Sequence, residues 1–211
     1  MVKRVSAKLA KGLGAELQSN EDEISIFDYA LEVILYSIIK LIVIIGSAYL
    51  LGLLEITMVY LVSFITLRRF GGGVHLSTYG RCLSIGLLST IFCAKLADSI
   101  SVGPEILLLM AIILLLVGCI CIWCWVPAGT HKNRVAQVNQ RMKRKMKTFM
   151  VLLFVLILIG VCCYYQYYNY ALSMVLGGFI SFYLITPMGY KTIYAIDNII
   201  NDKKERRKEN A

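Results

Sequence analysis

The sequence predicts an all-α, polytopic integral membrane protein: about six transmembrane helices, the second short and tilted or re-entrant, preceded by an amphipathic helix on the membrane surface. Composition is the first reason. Of 211 residues 58% are hydrophobic and only 17% charged, whereas a soluble domain is roughly 45–50% apolar and about 25% charged. A soluble monomer of this size cannot bury that excess, so a soluble globular enzyme is excluded. The second reason is that long apolar runs recur along the chain, separated by short polar segments. The third is that the basic residues collect in a few of those segments, as the positive-inside bias requires. With 3 prolines and no Gly/Ser-rich tract, the chain is not a disordered one either. The expected organisation is one membrane-embedded domain over 1–211: an interfacial helix in 1–20, spans and loops in 28–190, and a charged tail in 191–211.

The N-terminal stretch MVKRVSAKLAKGLGAEL repeats Val2, Val5, Leu9, Leu13 and Leu17 at helical spacing, with Lys3, Arg4, Lys8 and Lys11 between them. Its apolar runs are too short for a cleavable signal peptide. A helix lying on lipid headgroups fits. After Glu21-Asp22-Glu23, a first span is expected from Asp28 to Leu51, interrupted by Glu32 and Lys40. These two charges share a helix face, which fits either a functional site or pairing inside the bundle. A second span covers Ile56–Leu67 and is stopped by Arg68-Arg69; a third covers Leu83–Ala97. Pro104 suits the first turn of a fourth, which reaches Val126 before Pro127-Ala-Gly129. The fifth runs from Thr148 to Tyr164, and the sixth ends at Thr186-Pro187.

With six spans, the N-terminus, residues 68–81, the 132–147 loop and the tail share one side and hold 20 of the 22 basic residues. The positive-inside bias makes that side cytoplasmic. The net charge of +9 is thereby explained as topology. No nucleic-acid-binding motif accompanies it, so no nucleic-acid partner is expected. Membrane lipids are.

Six of the seven cysteines lie in apolar runs, where cysteine acts as a small hydrophobe. On one helix Cys119 points well away from Cys121 and Cys124, so the three cannot share a tetrahedral metal site. No metal and no cofactor are expected.

Cys82 differs. It follows the polar segment Arg68-Arg69-Phe70-Gly71-Gly72-Gly73-Val74-His75 by seven residues. A thiol becomes a nucleophile near neutral pH beside an imidazole or in a positive field. On one continuous helix, His75 and Cys82 stand about 10.5 Å apart along the axis, too far for direct proton transfer. The chain must therefore fold back between them. The glycines permit unusual backbone angles. Ser77 or Thr78 can cap a helix that starts just before Cys82, where the helix dipole and Arg81 favour a thiolate.

Arg68-Arg69-x-x-Gly72-Gly73-x-His75-x₆-Cys82, set between short hydrophobic spans, resembles the signature of the AgrB family, membrane cysteine endopeptidases that process AgrD-type quorum-sensing propeptides. The similarity extends to chain size, the basic N-terminal helix and the proline-bearing turn before a basic loop. It implies His75 and Cys82 as the catalytic pair, with Arg68, Arg69, Gly72 and Gly73 as supporting motif residues. The third glycine, Gly71, departs from many relatives without touching that pair. The resemblance also implies an AgrD-like propeptide as substrate, an acyl-thioester on Cys82, and release of a cyclic thiolactone or lactone. It allows a homodimer, for which Gly177-Gly178 supply small residues suited to close helix packing.

Other features leave alternatives open. Ser77, Thr78 and Ser84 are each near enough in sequence to orient His75. The loop with Lys132, Arg134, Arg141, Lys143, Arg144, Lys145 and Lys147 contains no acid. It reads as a topology and lipid signal or as a dock for an acidic propeptide tail, with Lys132 and Arg134 as candidate substrate contacts. His131 reads as a loop histidine. The competing function is a small multispanning peptide transporter without peptidase chemistry, which unlike the enzyme would keep its activity in Cys82→Ser.

Overall fold

Capping and charge delimit the first helices. In this computed structural model, which describes residues 2–74, 76–128 and 138–209 (138–139 and 202–209 as backbone only), α1 is Val2–Glu16 and α2 is Glu21–Leu50. Asn20 starts α2 with a reciprocal capping box. Its side-chain oxygen accepts the Glu23 N–H at 2.8 Å, and the Glu23 carboxylate accepts the Asn20 N–H at 3.1 Å. Glu21, Asp22 and Glu23 also place negative charge at the positive end of the helix dipole.

The α1 helix packs on α2 through its small residues Ser6, Ala10 and Gly14, spaced one turn apart and all buried. A Cβ on Gly14 would collide with Ile24. Lys3 reaches Glu32 at 3.8 Å. The stripe Val5, Leu9, Leu13 is left exposed, as an interfacial helix requires. These 50 residues form one compact unit, and Leu51–Ala211 form a second.

The second unit contains α3 (Leu54–Gly71), α4 (Tyr79–Ser99), α5 (Pro104–Trp125), α6 (Val138–Tyr164), α7 (Tyr168–Tyr183) and α8 (Pro187–Glu209). Its centre is the α3–α7 pair, which runs parallel: Ser173 Oγ donates to the Ile56 carbonyl at 2.9 Å, Ser63 Oγ to the Met174 carbonyl at 2.8 Å, and Gly71 meets Ile185 at the far end. Gly177 lets the two backbones approach, because a Cβ there would stand 2.8 Å from the Tyr60 carbonyl oxygen. Between apolar helices such small residues and short hydroxyl bonds replace the hydrophobic drive available in water. Gly118 of α5 performs the same service towards Leu152 and Phe182, and Gly178 towards Leu114. The two glycines 177 and 178 are thus spent inside the unit.

No strand occurs among the described residues, and the all-α expectation holds. By length and composition, α2, α4, α5 and Gln140–Tyr164 of α6 are suited to cross a membrane; α7 and α8 make a fifth span only if taken together across an 81° bend. The short second span is α3, which falls outside this set because Glu55, Arg68 and Arg69 all lie in its 18 residues. At 16 residues, α7 is about 24 Å long, short of the roughly 30 Å hydrocarbon core. The expected third to fifth spans correspond to α4, α5 and α6, with α6 starting ten residues earlier than Thr148. The tail, expected only to be charged, is helical through Glu209.

Contacts place one end of α3, α4, α5, α6 and α7 together with the start of α8. Gly71 lies beside Ile185 and Thr148, Gly73 bonds Ala128, Val74 bonds Leu184, and Ser77 bonds Asp197. The opposite end carries Glu55, held by the Tyr170 hydroxyl.

Candidate active site at the basic end of the bundle

The site begins where α3 ends. Arg69 is exposed, but Arg68 on the other face is half-buried, with Nη1 wholly enclosed. Its Nη2 donates to the Val74 carbonyl. The guanidinium also lies over the Phe64 ring, 5.9 Å from the centroid. The arginine therefore folds back over the chain that follows it.

Two glycines make that possible. Gly72 has φ +80° and Gly73 φ +128°, both in the region that L side chains rarely adopt. Gly72 also pairs with Ala128 in an isolated parallel bridge: the Ala128 N–H donates to the Gly71 carbonyl at 3.0 Å, and the Gly73 N–H to the Ala128 carbonyl at 3.2 Å. A Cβ on Gly72 would collide with that carbonyl. On Gly73 it would stand 2.6 Å from Arg68 Nη1 and 2.9 Å from the Leu184 carbonyl oxygen. The segment after α5, which the sequence marks only as a stop, thus braces the glycine turn.

From there the chain reverses. The Val74 N–H donates to the Leu184 carbonyl at 3.2 Å, and α4 starts at Tyr79 with Thr78 as its N-cap residue. Neither Ser77 nor Thr78 supplies a side-chain cap bond; Thr78 contributes its carbonyl, which accepts the Cys82 N–H at 3.1 Å. Cys82, half-buried, occupies the first turn of α4. It interacts electrostatically with Arg68, as does Tyr190 of α8. The thiol therefore lies in the first turn of a helix, eight residues after the Val74 carbonyl that the Arg68 guanidinium holds.

Residues distant in sequence complete the segment. Asp197 of α8 is 5% exposed. Its Oδ2 accepts the Ser77 N–H at 2.7 Å, and its Oδ1 accepts Arg81 Nη1 at 3.0 Å. Arg81 Nη2 donates to Asn201 Oδ1 at 2.7 Å. The sequence pairs Arg81 with the thiol and does not single out Asp197 or Asn201. Ile193 and Asp197, four residues apart on α8, are both buried.

Of the expected site residues, the fold brings together Arg68, Gly72, Gly73 and Cys82, with Arg69 at the edge. His75, Lys132 and Arg134, as well as His131, lie outside the described residues. Among the basic residues before Thr148, Lys145 is already engaged: its Nζ donates to the Trp123 carbonyl at 2.7 Å and lies 5.3 Å from the Trp123 ring centroid. Arg141, Lys143, Arg144 and Lys147 are exposed. Among the described residues no group of His, Cys, Asp and Glu is arranged to hold a metal ion.

The chain is 24% identical over 207 residues to an AgrB-like protein of Clostridium perfringens strain SM101, covering 95% of this chain and 94% of the relative. It is 24% identical over 182 residues to AgrB-like protein 2 of C. perfringens strain 13, covering 82% of each. It is 26% identical over 166 residues to an AgrB-like protein of Listeria innocua, covering 78% of each. No solved structure matches. Residues 4–190 match the family Accessory gene regulator B, which includes the whole Arg68–Cys82 segment. The chain belongs to the Accessory gene regulator B family and is a multi-pass membrane protein of agr quorum-sensing peptide processing.

Proposed function

We propose that the protein is a cysteine endopeptidase that cleaves an AgrD-like propeptide near its C-terminal side, with Cys82 as nucleophile and His75 as general base. The observation that carries this reading is Cys82 in the first turn of α4, at the end of a segment whose start the folded-back Arg68 guanidinium holds at the Val74 carbonyl. A transporter has no use for a thiol so placed.

In the reaction His75 takes the Cys82 thiol proton, and the thiolate attacks the scissile carbonyl carbon. The tetrahedral intermediate collapses with transfer of that proton to the leaving amine, so the C-terminal fragment departs with a free amino group. The rest of the propeptide remains as a thioester on Cys82. A Cys thiol or Ser hydroxyl of the same peptide then attacks the thioester, closes a thiolactone or lactone, and returns the proton to Cys82. Arg68 Nη1, which has no hydrogen-bond partner among the described residues, is the donor best suited to stabilise negative charge on sulfur or oxygen.

The active site faces the cytoplasm in this reading. Arg68, Arg69 and Arg81 lie at the same end of the second unit as the basic start of α6 and Lys191, and positive charge favours the cytoplasmic side. A cytosolic propeptide then meets the site directly. Membrane lipids surround the bundle, and the basic stretch 132–147, with Lys132 and Arg134, meets the acidic propeptide tail.

The test is cleavage of an AgrD-type propeptide by membranes bearing Cys82→Ala, His75→Ala or both. Each single variant is expected to lose cleavage, and the double variant to be no worse than either, because such residues act as a unit. Cleavage by Cys82→Ala at the wild-type rate excludes the reading.

A further inference from the structure

We propose that Asp197 is a positioning residue for the catalytic segment, holding Ser77 and Arg81, on the chain that leads into Cys82, to α8. The inference rests on the peptidase reading above.

Among the described residues between Gly73 and Tyr79 there is no regular structure. Ordering it must come from outside. At its start, the Val74 N–H is fastened to the Leu184 carbonyl at the end of α7. Three residues later, Asp197 Oδ2 accepts the Ser77 N–H at 2.7 Å. In the chain these two anchor points bracket His75. Asp197 Oδ1 then takes Arg81, the neighbour of Cys82, at 3.0 Å. One carboxylate thus ties down a residue two positions after the base and the residue next to the nucleophile.

The pair is well enclosed, with side chains 14% and 8% exposed for Arg81 and Asp197. Bonds to an ionised partner are shorter and stronger than neutral ones, and enclosure removes the screening that makes surface pairs weak. Asn201, one turn further along α8, adds a bond to the other Arg81 nitrogen. The 81° break after α7 is what brings α8 across the segment. Reacting groups must be held to within a fraction of an ångström for efficient transfer, so loss of this tie should slow the chemistry while leaving propeptide binding intact. Asp197 touches no reacting atom; it acts through Ser77 and Arg81.

The experiment measures kcat and KM for cleavage of an AgrD-type propeptide by full-length protein in membranes, normalised to inserted protein. Asp197→Ala is expected to lower kcat by about tenfold or more with KM within about twofold, the split that marks lost positioning. Asp197→Asn keeps the shape and an acceptor for the Ser77 N–H but not the charge facing Arg81. It is expected to lose less, and it serves the same purpose if Asp197→Ala does not insert. Adding Arg81→Ala to Asp197→Ala should cost less than Arg81→Ala costs alone, because the bond between the two is already gone and only the Asn201 bond is left to lose. Unchanged kcat in both Asp197 variants, a change confined to KM, or losses that multiply in the double variant would overturn the inference. These outcomes are separable from failure of the peptidase reading. Cleavage that needs Cys82 but ignores Asp197 removes only the positioning role, whereas cleavage without Cys82 removes both.

Discussion

Gly73 decides where the Arg68 guanidinium lies. At φ +128° a side chain is strained, and its Cβ would press on Arg68 Nη1 and the Leu184 carbonyl together. Strain of this kind costs about 1–3 kcal/mol, and the guanidinium that holds the Val74 carbonyl would be displaced. Gly73→Ala is therefore expected to lower the apparent unfolding temperature of the solubilised protein and to cut propeptide cleavage. Gly160 is the control: it lies inside α6 with open space around its Cα. Gly160→Ala should stabilise by about 0.5–1 kcal/mol, since alanine is the better helix former. Equal behaviour of the two variants in thermal unfolding would show that neither the backbone angle nor the close approach matters.

At the scale of elements, the α3–α7 pair depends on small residues and hydroxyl-to-carbonyl bonds. Ser63→Ala removes the bond to the Met174 carbonyl across the pair, worth about 0.6 kcal/mol between membrane helices, along with a longer contact to the Tyr60 carbonyl. Gly177→Ala does more, since its Cβ meets both Ser63 Oγ and the Tyr60 carbonyl. Combining them should recover part of the Gly177→Ala loss, because the hydroxyl no longer obstructs, though the Tyr60 carbonyl still does. Thermal unfolding of the two single variants and the double variant checks this; strictly additive losses would contradict it.

The elements themselves were largely legible in the sequence. Apolar runs bounded by Arg68-Arg69, Pro104 and Pro127 mark α3, α5 and the end of α5, because charge and proline stop helices for local reasons. The glycine turn and the start of α4 before Cys82 were legible for the same reason. The helical state of the tail was not, since a segment as charged as Asp202–Glu209 shows no apolar stripe. Nor was Asp197, whose partners Ser77 and Arg81 lie 120 and 116 residues away. No local pattern records such a contact. The bracing of Gly72 by Ala128 is equally non-local.

At the scale of the whole molecule, the sorting of charge between the two ends of the second unit is the main feature. Arginines and lysines mark the end with Cys82, while Glu55 and the Lys95–Asp98 pair mark the other. A cysteine placed at Ser101 should react with an impermeant maleimide in intact cells, and one at Lys143 only after permeabilisation; the reverse pattern would invert the proposed orientation. Charge also bears on substrate capture. Because Lys145 is bound to Trp123, the clean test neutralises the exposed Arg141, Lys143 and Arg144. If these attract an acidic tail, KM should rise several-fold, more at low salt than at high, with kcat retained. A KM that ignores both the substitutions and the salt would leave those residues a topological role only.

The most direct test of the whole scheme is the covalent intermediate. With wild-type protein and a propeptide whose ring-closing residue is replaced by alanine, no internal nucleophile is available to release the thioester. Intact-mass analysis followed by peptide mapping should then show Cys82 carrying the N-terminal propeptide fragment as an acyl adduct that hydroxylamine removes. Cleavage without any adduct, or an adduct on one of the other six cysteines, would contradict nucleophilic attack by Cys82.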